Sequence, residues 1–245
     1  MLTFLNRKKK VTLDCFTTNQ VAYEFFPIVE AIKTVPDWWK KLPKSVTPEP
    51  DIKYYKTMKQ CYGFVEFYKR GFVIENWTDN NFYVTKDKYQ YIFSNEGNSV
   101  EHPKHQYAGG FENFHHAKLI SPWCIREKNG YHFMFMGAEW SLEYFDIKIL
   151  PGIVEYSVNH DTHINIMLPK KEQPYPFHIK SGNPIVHIIP LNDDIDFNIK
   201  SHLINQKEFD NMFYIPSSVF GRIPKLKKIL KRNKDRNKAK CPFRS

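Results

Sequence analysis

The chain has 245 residues, one ordinary domain's length or slightly more, and its 42% hydrophobic content can fill a sizeable core, which excludes wholesale disorder. No run approaches the roughly 20 apolar residues that cross a bilayer, and MLTFLNRKKKVTLDCF carries charges where a secretory signal would be apolar, so an unexported protein with no membrane role is expected. The formal net charge of +10 lies wholly within residues 222–245, which hold eleven basic residues against Asp235; the rest balances 25 basic with 25 acidic residues, so any nucleic-acid contact must rest on the ends.

Reading along the chain, VTLDCFT (11–17) alternates as a strand does, and NQVAYEFFPIVEAI suggests a short helix interrupted at Pro27. PDWWKKLP predicts one helical turn between prolines, with Trp38 and Trp39 as a packing clamp or a recognition element. CYGFVEFYKRG predicts a helix with Gly71 at its stop. GFVIENW, NFYVTKD and YQYIFSN then read as consecutive antiparallel strands. FHHAKLISPWCIRE, GYHFMFMGAEW, GIVEYSV, HINIML, FHIKSG and PIVHIIPL continue the series. After Leu191 the pattern loosens through Asp193, Asp194 and Asp196 into IKSHLINQKEFDNMFYI.

Short strands at this spacing, with 39 aromatic residues beside six alanines, predict a mainly β fold: a jelly-roll or β-clip-like barrel or sandwich with a few short helices. One β-rich domain would span 1–221, with the short helices near its start, and a basic tail would span 222–245. Cys15, Cys61, Cys124 and Cys241 are too scattered for a zinc knuckle or a secreted disulfide framework, and reduced thiols are the simplest account.

Few residues offer chemistry. His160, Asp161 and His163 in NHDTHINI are the metal candidates, since imidazole and carboxylate suit zinc or iron, and they would support a metal-dependent oxygenase. Strand alternation, however, puts Asp161 and His163 on one face and His160 on the other, so surface or sheet-pairing roles compete and no metal site is assigned. His115 and His116 face opposite ways on their strand, and His102 and His105 lie in a polar loop. His187, inside the apolar run PIVHIIPL, is either a core histidine or a binding residue. No phosphate loop, nucleophile elbow, zinc-protease or dinucleotide fingerprint occurs, and no cofactor is expected. In the tail, Lys225, Lys227, Lys228, Lys231 and Arg232 are the candidate contacts to phosphates or to an acidic partner.

PGIVEYSVNHDTHINIML followed by FHIKSGNPIVHIIPL, together with SPWCIREKNGYHFMF upstream, resembles the second half of the deoxyuridine triphosphatase family over residues 121–191. The resemblance implies a β-clip barrel, a homo-oligomer that is often trimeric, and a nucleotide-acting hydrolase. Glu155 would then orient the attacking water and Tyr156 would stand near the base; His163 is a further candidate binding residue. The chain departs from that family where GAEWSLEYF replaces the Arg-Ser-Gly phosphate loop, and it shows no glycine-rich carboxy-terminal arm. DWWKKLP, CYGFVEFYKRGFVIENWTD and KSGNPIVHIIPL also resemble an uncharacterised family of tailed phages of marine and cyanobacterial hosts. That likeness implies a phage protein acting in the host cytoplasm or the virion, with no established activity. The first expectation is therefore a non-catalytic structural or interaction protein whose tail contacts nucleic acid or a viral partner. The hydrolase and the oxygenase are the alternatives.

Overall fold

The computed structural model describes residues 8–46, 55–92, 99–101, 110–141 and 147–213. In chain order the elements are β1 (Lys9–Thr17), α1 (Gln20–Phe25), β2 (Val29–Glu30), α2 (Asp37–Lys41), β3 (Ser45–Val46), β4 (Tyr55–Lys56), α3 (Tyr62–Tyr68), β5 (Phe72–Glu75), β6 (Asn80–Val84), β7 (Tyr89–Tyr91), β8 (Ser99–Glu101), β9 (Phe114–Arg126), β10 (Phe133–Gly137), β11 (Lys148–Ile149), β12 (Gly152–Val154), β13 (Asp161–Pro169), β14 (Tyr175–Ile179), β15 (Pro184–Pro190), β16 (Ile195–Leu203) and α4 (Gln206–Phe213). Single 3-10 turns at Ala31–Thr34, Met58–Gln60 and Glu139–Ser141 connect them. The protein is mainly β with a few short helices, as its strand-rich, alanine-poor sequence predicts.

Two compact units divide the chain, Met1–Ile204 and Asn205–Ser245. The described part of the second unit is α4, whose N-terminus is held by Asn205 accepting from the Glu208 backbone N–H at 3.0 Å. The expected boundary at 221/222 and the whole basic tail lie outside the described residues.

In the first unit, a six-stranded sheet runs β11-β13-β9-β1-β16 with β8 also on β9, and a five-stranded sheet runs β12-β10-β15-β5-β2. β14, β6 and β7 form a third sheet. A single core joins all three: Leu13, Ile125 and Ile164 from the first, Phe72, Phe133 and Ile188 from the second, and Phe82 and Ile179 from the third. Alternation produces this burial. On β1, Val11, Leu13 and Cys15 point inward while Lys10, Thr12 and Asp14 do not.

Three details differ from the sequence expectation. β5 and β6 are not neighbours: β5 pairs with β15, and β6 pairs with β14 and β7. The chain crosses between sheets at Asn76–Asn80, where the Asn76 side chain donates to Ile179 O at 2.8 Å and Lys180 O at 3.0 Å, and Asn80 donates to Asn76. Buried amides satisfy the backbone that leaves its ladder there. The loosened region after Leu191 contains β16, which lies parallel to β1 over its full length. Its signal was the modest alternation of Ile195, Phe197 and Ile199. β9 carries a bulge at Ser121–Trp123, between the pairs Asp161↔Cys124 and His163↔Ile120. Pro122 sits in that bulge, where a missing N–H breaks no ladder bond.

Gly71 explains how α3 is tied to the sheet. Its φ is +79°, and a Cβ there would lie 1.9 Å from Ile188 O, so only glycine permits the helix to end against β15.

Candidate functional site

Two connections cross side by side between the two main sheets. The first joins β9 to β10 through Glu127–His132, with Gly130 at φ +79°. The second joins β12 to β13 through Glu155–His160, with Val158 and Asn159 donating to Glu155 O at 3.0 and 2.9 Å. The backbone ties them together: Ile125 donates to His160 O at 2.8 Å, and Glu127 donates to Tyr156 O at 3.3 Å.

The two glutamates differ in what holds them. Glu127 is 1% exposed, and its carboxylate accepts from the backbone N–H groups of Asn129, Gly130 (2.7 Å) and Tyr131 (3.1 Å) and from the Asn129 side chain (2.6 Å). It is a turn organiser that sequence reading passed over, since a lone Glu before an Asn-Gly turn has no distinguishing spacing. Glu155 is half-buried; it accepts from the Ser157 hydroxyl, and its other oxygen stands 3.8 Å from His132 Nε2.

Beside the second turn lies a cavity of about 160 Å³. Phe135, Ile153, Asn159, Asp161, His163 and Asn165 are among the residues that line it. The Phe135 ring reaches across Gly152, where a Cβ would lie 2.5 Å from its Cζ. β11 covers β13 only at Ile166 and Met167, so the stretch that supplies Asp161 and His163 lies beyond that pairing. Asp161, His163 and Asn165 share one face, as period-two alternation predicts.

The remaining nominated residues have definite partners. Tyr156 is fully buried against Phe72 and Phe133, and its hydroxyl meets Thr162 Oγ1 at 2.9 Å. Burial pushes its phenol pKa well above the ordinary range, with the Thr162 contact a smaller opposing influence. His187 is 1% exposed, donates from Nε2 to Arg70 O at 2.7 Å, and packs edge-on to Phe67. Desolvation lowers its pKa, partly offset by the Arg70 carbonyl, so the ring is held neutral. The structure thus gives it the core role. Among the metal candidates, His160 donates from Nδ1 to Ile125 O at 3.0 Å, and Asp161 accepts from the Cys124 thiol at 3.1 Å. His160 and Asp161 are drawn to different partners, and among the described residues no three His, Cys, Asp or Glu side chains converge as a metal site.

His115 donates to Thr85 O at 2.8 Å and His116 to Asn165 Oδ1 at 3.1 Å, both as buried sheet histidines. His102, His105 and the tail residues Lys225, Lys227, Lys228, Lys231 and Arg232 lie outside the described residues. Cys15, Cys61 and Cys124 are in no disulfide, and burial raises the Cys15 pKa well above its usual value. No described helix is long and apolar enough to cross a membrane.

The arrangement offers a small pocket with one carboxylate, one imidazole, two amides and an aromatic wall, and no lysine or arginine among its lining residues. It can hydrogen-bond a compact polar group. Stabilising a triphosphate would need cationic or backbone donors directed at the phosphates.

No protein-family model matches the chain, and no curated protein matches it. Among solved structures it is similar to a dUTPase from phage phi11 of S. aureus, with 10% identity and a TM-score of 0.30 over 69% of this chain and 92% of that one. A likeness at that level transfers no residue role, and the chemistry of the site follows from its own side chains.

Proposed function

We propose that this is a non-catalytic interaction protein whose β body carries a nucleic-acid-binding tail. The observation behind this reading is where the charge sits: the whole net charge of +10 belongs to the last 24 residues, while the body is neutral. A short, dense basic segment neutralises phosphates regardless of base sequence and releases counterions as it does so. The body adds a negative argument. Tyr156 and His187 are buried with hydrogen-bond partners, and Glu155 is engaged by Ser157 within its own turn. A homo-oligomer would multiply the tails and strengthen binding through effective concentration.

The test is the salt dependence of DNA binding by the full chain. Each phosphate contact contributes about 0.9 to the slope of log K against log salt on duplex DNA. Changing Lys225, Lys227, Lys228, Lys231 and Arg232 together to Ala should lower that slope by about 4.5. Unchanged affinity and slope would remove the proposal. If the substitutions leave DNA binding alone but abolish recovery of a viral protein partner, the tail is a protein-docking element instead.

A hydrolase reading keeps one supporting observation, the Glu155 carboxylate 3.8 Å from His132 beside the pocket wall. Under it, the purified protein turns over a deoxynucleotide and Glu155→Gln abolishes that turnover while leaving the thermal midpoint in place. Absence of turnover across the deoxynucleoside triphosphates would eliminate it.

A further inference from the structure

Trp38 on α2 and Trp140 in the turn Glu139–Ser141 are 102 residues apart in the chain, yet they form one surface pair. Their ring centroids lie 6.4 Å apart, and the Trp38 indole N–H donates to Trp140 O at 3.3 Å. Phe64, itself 3% exposed, supports both from below, with centroids 5.6 Å from Trp38 and 5.2 Å from Trp140. The rings nonetheless remain 43% and 46% exposed. Tyr62, at the start of α3, is 77% exposed, and Tyr55 on β4 is 51% exposed. Large aromatic rings are costly to leave in water, and a buttressed, exposed pair marks a surface that meets something flat or apolar.

The surrounding charge identifies what kind of partner this is. Lys41 ends α2, Lys44 precedes β3, and Lys56 ends β4; all three are exposed, and Asp37 on the same helix feels the charge of Lys41. The same segment is internally braced, because Lys59 donates to Trp39 O at 3.1 Å and lies 4.0 Å over the Trp39 ring, and Gln60 donates to Lys44 O at 2.8 Å. Among the described residues, each indole has an acid next to it in the chain: Asp37, held by Lys40 at 3.0 Å, beside Trp38, and Glu139 beside Trp140. Exposed lysines flanking buttressed, exposed indoles favour a polyanion with flat, unpaired faces, and they disfavour a second copy of the same basic face.

We infer that this face of the body is a stacking platform for single-stranded nucleic acid, with bases on Trp38 and Trp140 and the backbone along Lys41, Lys44 and Lys56. Duplex DNA hides its base faces and would gain only the charge contacts. The platform is independent of the basic tail, so either can fail alone.

The experiment uses the full chain carrying the five tail substitutions, titrated with a dT oligomer of about 15 nucleotides and with a duplex of equal length. Binding is followed by intrinsic tryptophan fluorescence and by anisotropy of a labelled strand. The single strand should bind more tightly than the duplex and quench fluorescence, since Trp77 and Trp123 are buried and beyond the reach of stacking. Trp38→Ala with Trp140→Ala should weaken single-strand binding by about thirtyfold or more. Because those rings pack on Phe64, a second variant leaves the packing intact: Lys41→Glu with Lys44→Glu and Lys56→Glu should weaken binding comparably and flatten its salt dependence. No single-strand binding once the tail is neutralised, equal affinity for duplex, or unchanged affinity in both variants would each overturn the platform. Full binding with the tail neutralised would instead remove the tail proposal and leave the platform standing. Tryptophan-dependent dimerisation in sedimentation without binding would reassign the face to self-association.

Discussion

β15 and the β12–β13 connection with the start of β13 both carry titratable residues set among apolar ones, and they end up with opposite accessibility. β15 has a neighbour on each side, β10 and β5, and its His187 is desolvated, neutral and bonded to Arg70 O. That segment leads from the edge of one sheet into the other, and its Glu155, Asp161 and His163 remain at least partly in contact with water. The residue types and their strand alternation are similar in the two places. What differs is the number of elements that close over them, so accessibility to a ligand follows from sheet order rather than from local pattern.

The sharpest way to break this comparison is to charge the closed strand. Ile188 is fully buried, and Ile188→Asp should destabilise the fold by about 4 kcal/mol, measured as a loss in denaturant midpoint at unchanged m-value. Near-native stability in that variant would mean that β15 is not central. Next in size is Glu127→Ala, which strips the acceptor from three backbone N–H groups and should cost about 3 kcal/mol. A cost near that of an exposed residue would show that water replaces the carboxylate.

His187 sharpens the contrast through pH. Its folded pKa lies below the ordinary imidazole value, so below about pH 6.5 the unfolded chain binds a proton that the native ring refuses. Its contribution is therefore complete above that pH and is lost as pH falls towards the folded value, with a limiting slope of about 1.4 kcal/mol per pH unit. His187→Gln should flatten the stability profile between pH 5 and 7 relative to the parent. Superimposable profiles would show that the ring titrates freely. The smallest effect belongs to Glu155→Gln, which keeps the shape and the Ser157 contact and should change stability by less than about 1 kcal/mol. A larger loss would place Glu155 with Glu127 as a turn organiser.

Much of this was legible before any coordinates. The excess of aromatics over alanine and the run of short alternating segments point to a mainly β chain, and Gly71 marks the end of α3 because a positive φ is required there. Alternation places Asp161 and His163 on one face, where both line the pocket. Charge arithmetic separates body from tail without any structure. The parallel partnership of β16 with β1 was not legible, because it joins residues about 185 apart and leaves no local trace. The burial of Tyr156 escaped for a related reason: its place beside Glu155 suggested a ligand-facing ring, and only the packing of Phe72 and Phe133 turned it inward.

The sequence by itself determined the periodicities, the helix stop, the neutral body and the basic end, since each of these depends on residues near one another in the chain. Tertiary structure alone decided that the stretch of β13 bearing Asp161 and His163 lies beyond its pairing with β11, which carboxylate is held by backbone donors, and that Trp38 meets Trp140 on one surface. Those outcomes depend on contacts between distant segments, and local alternation is the same whether a strand becomes central or remains at an edge.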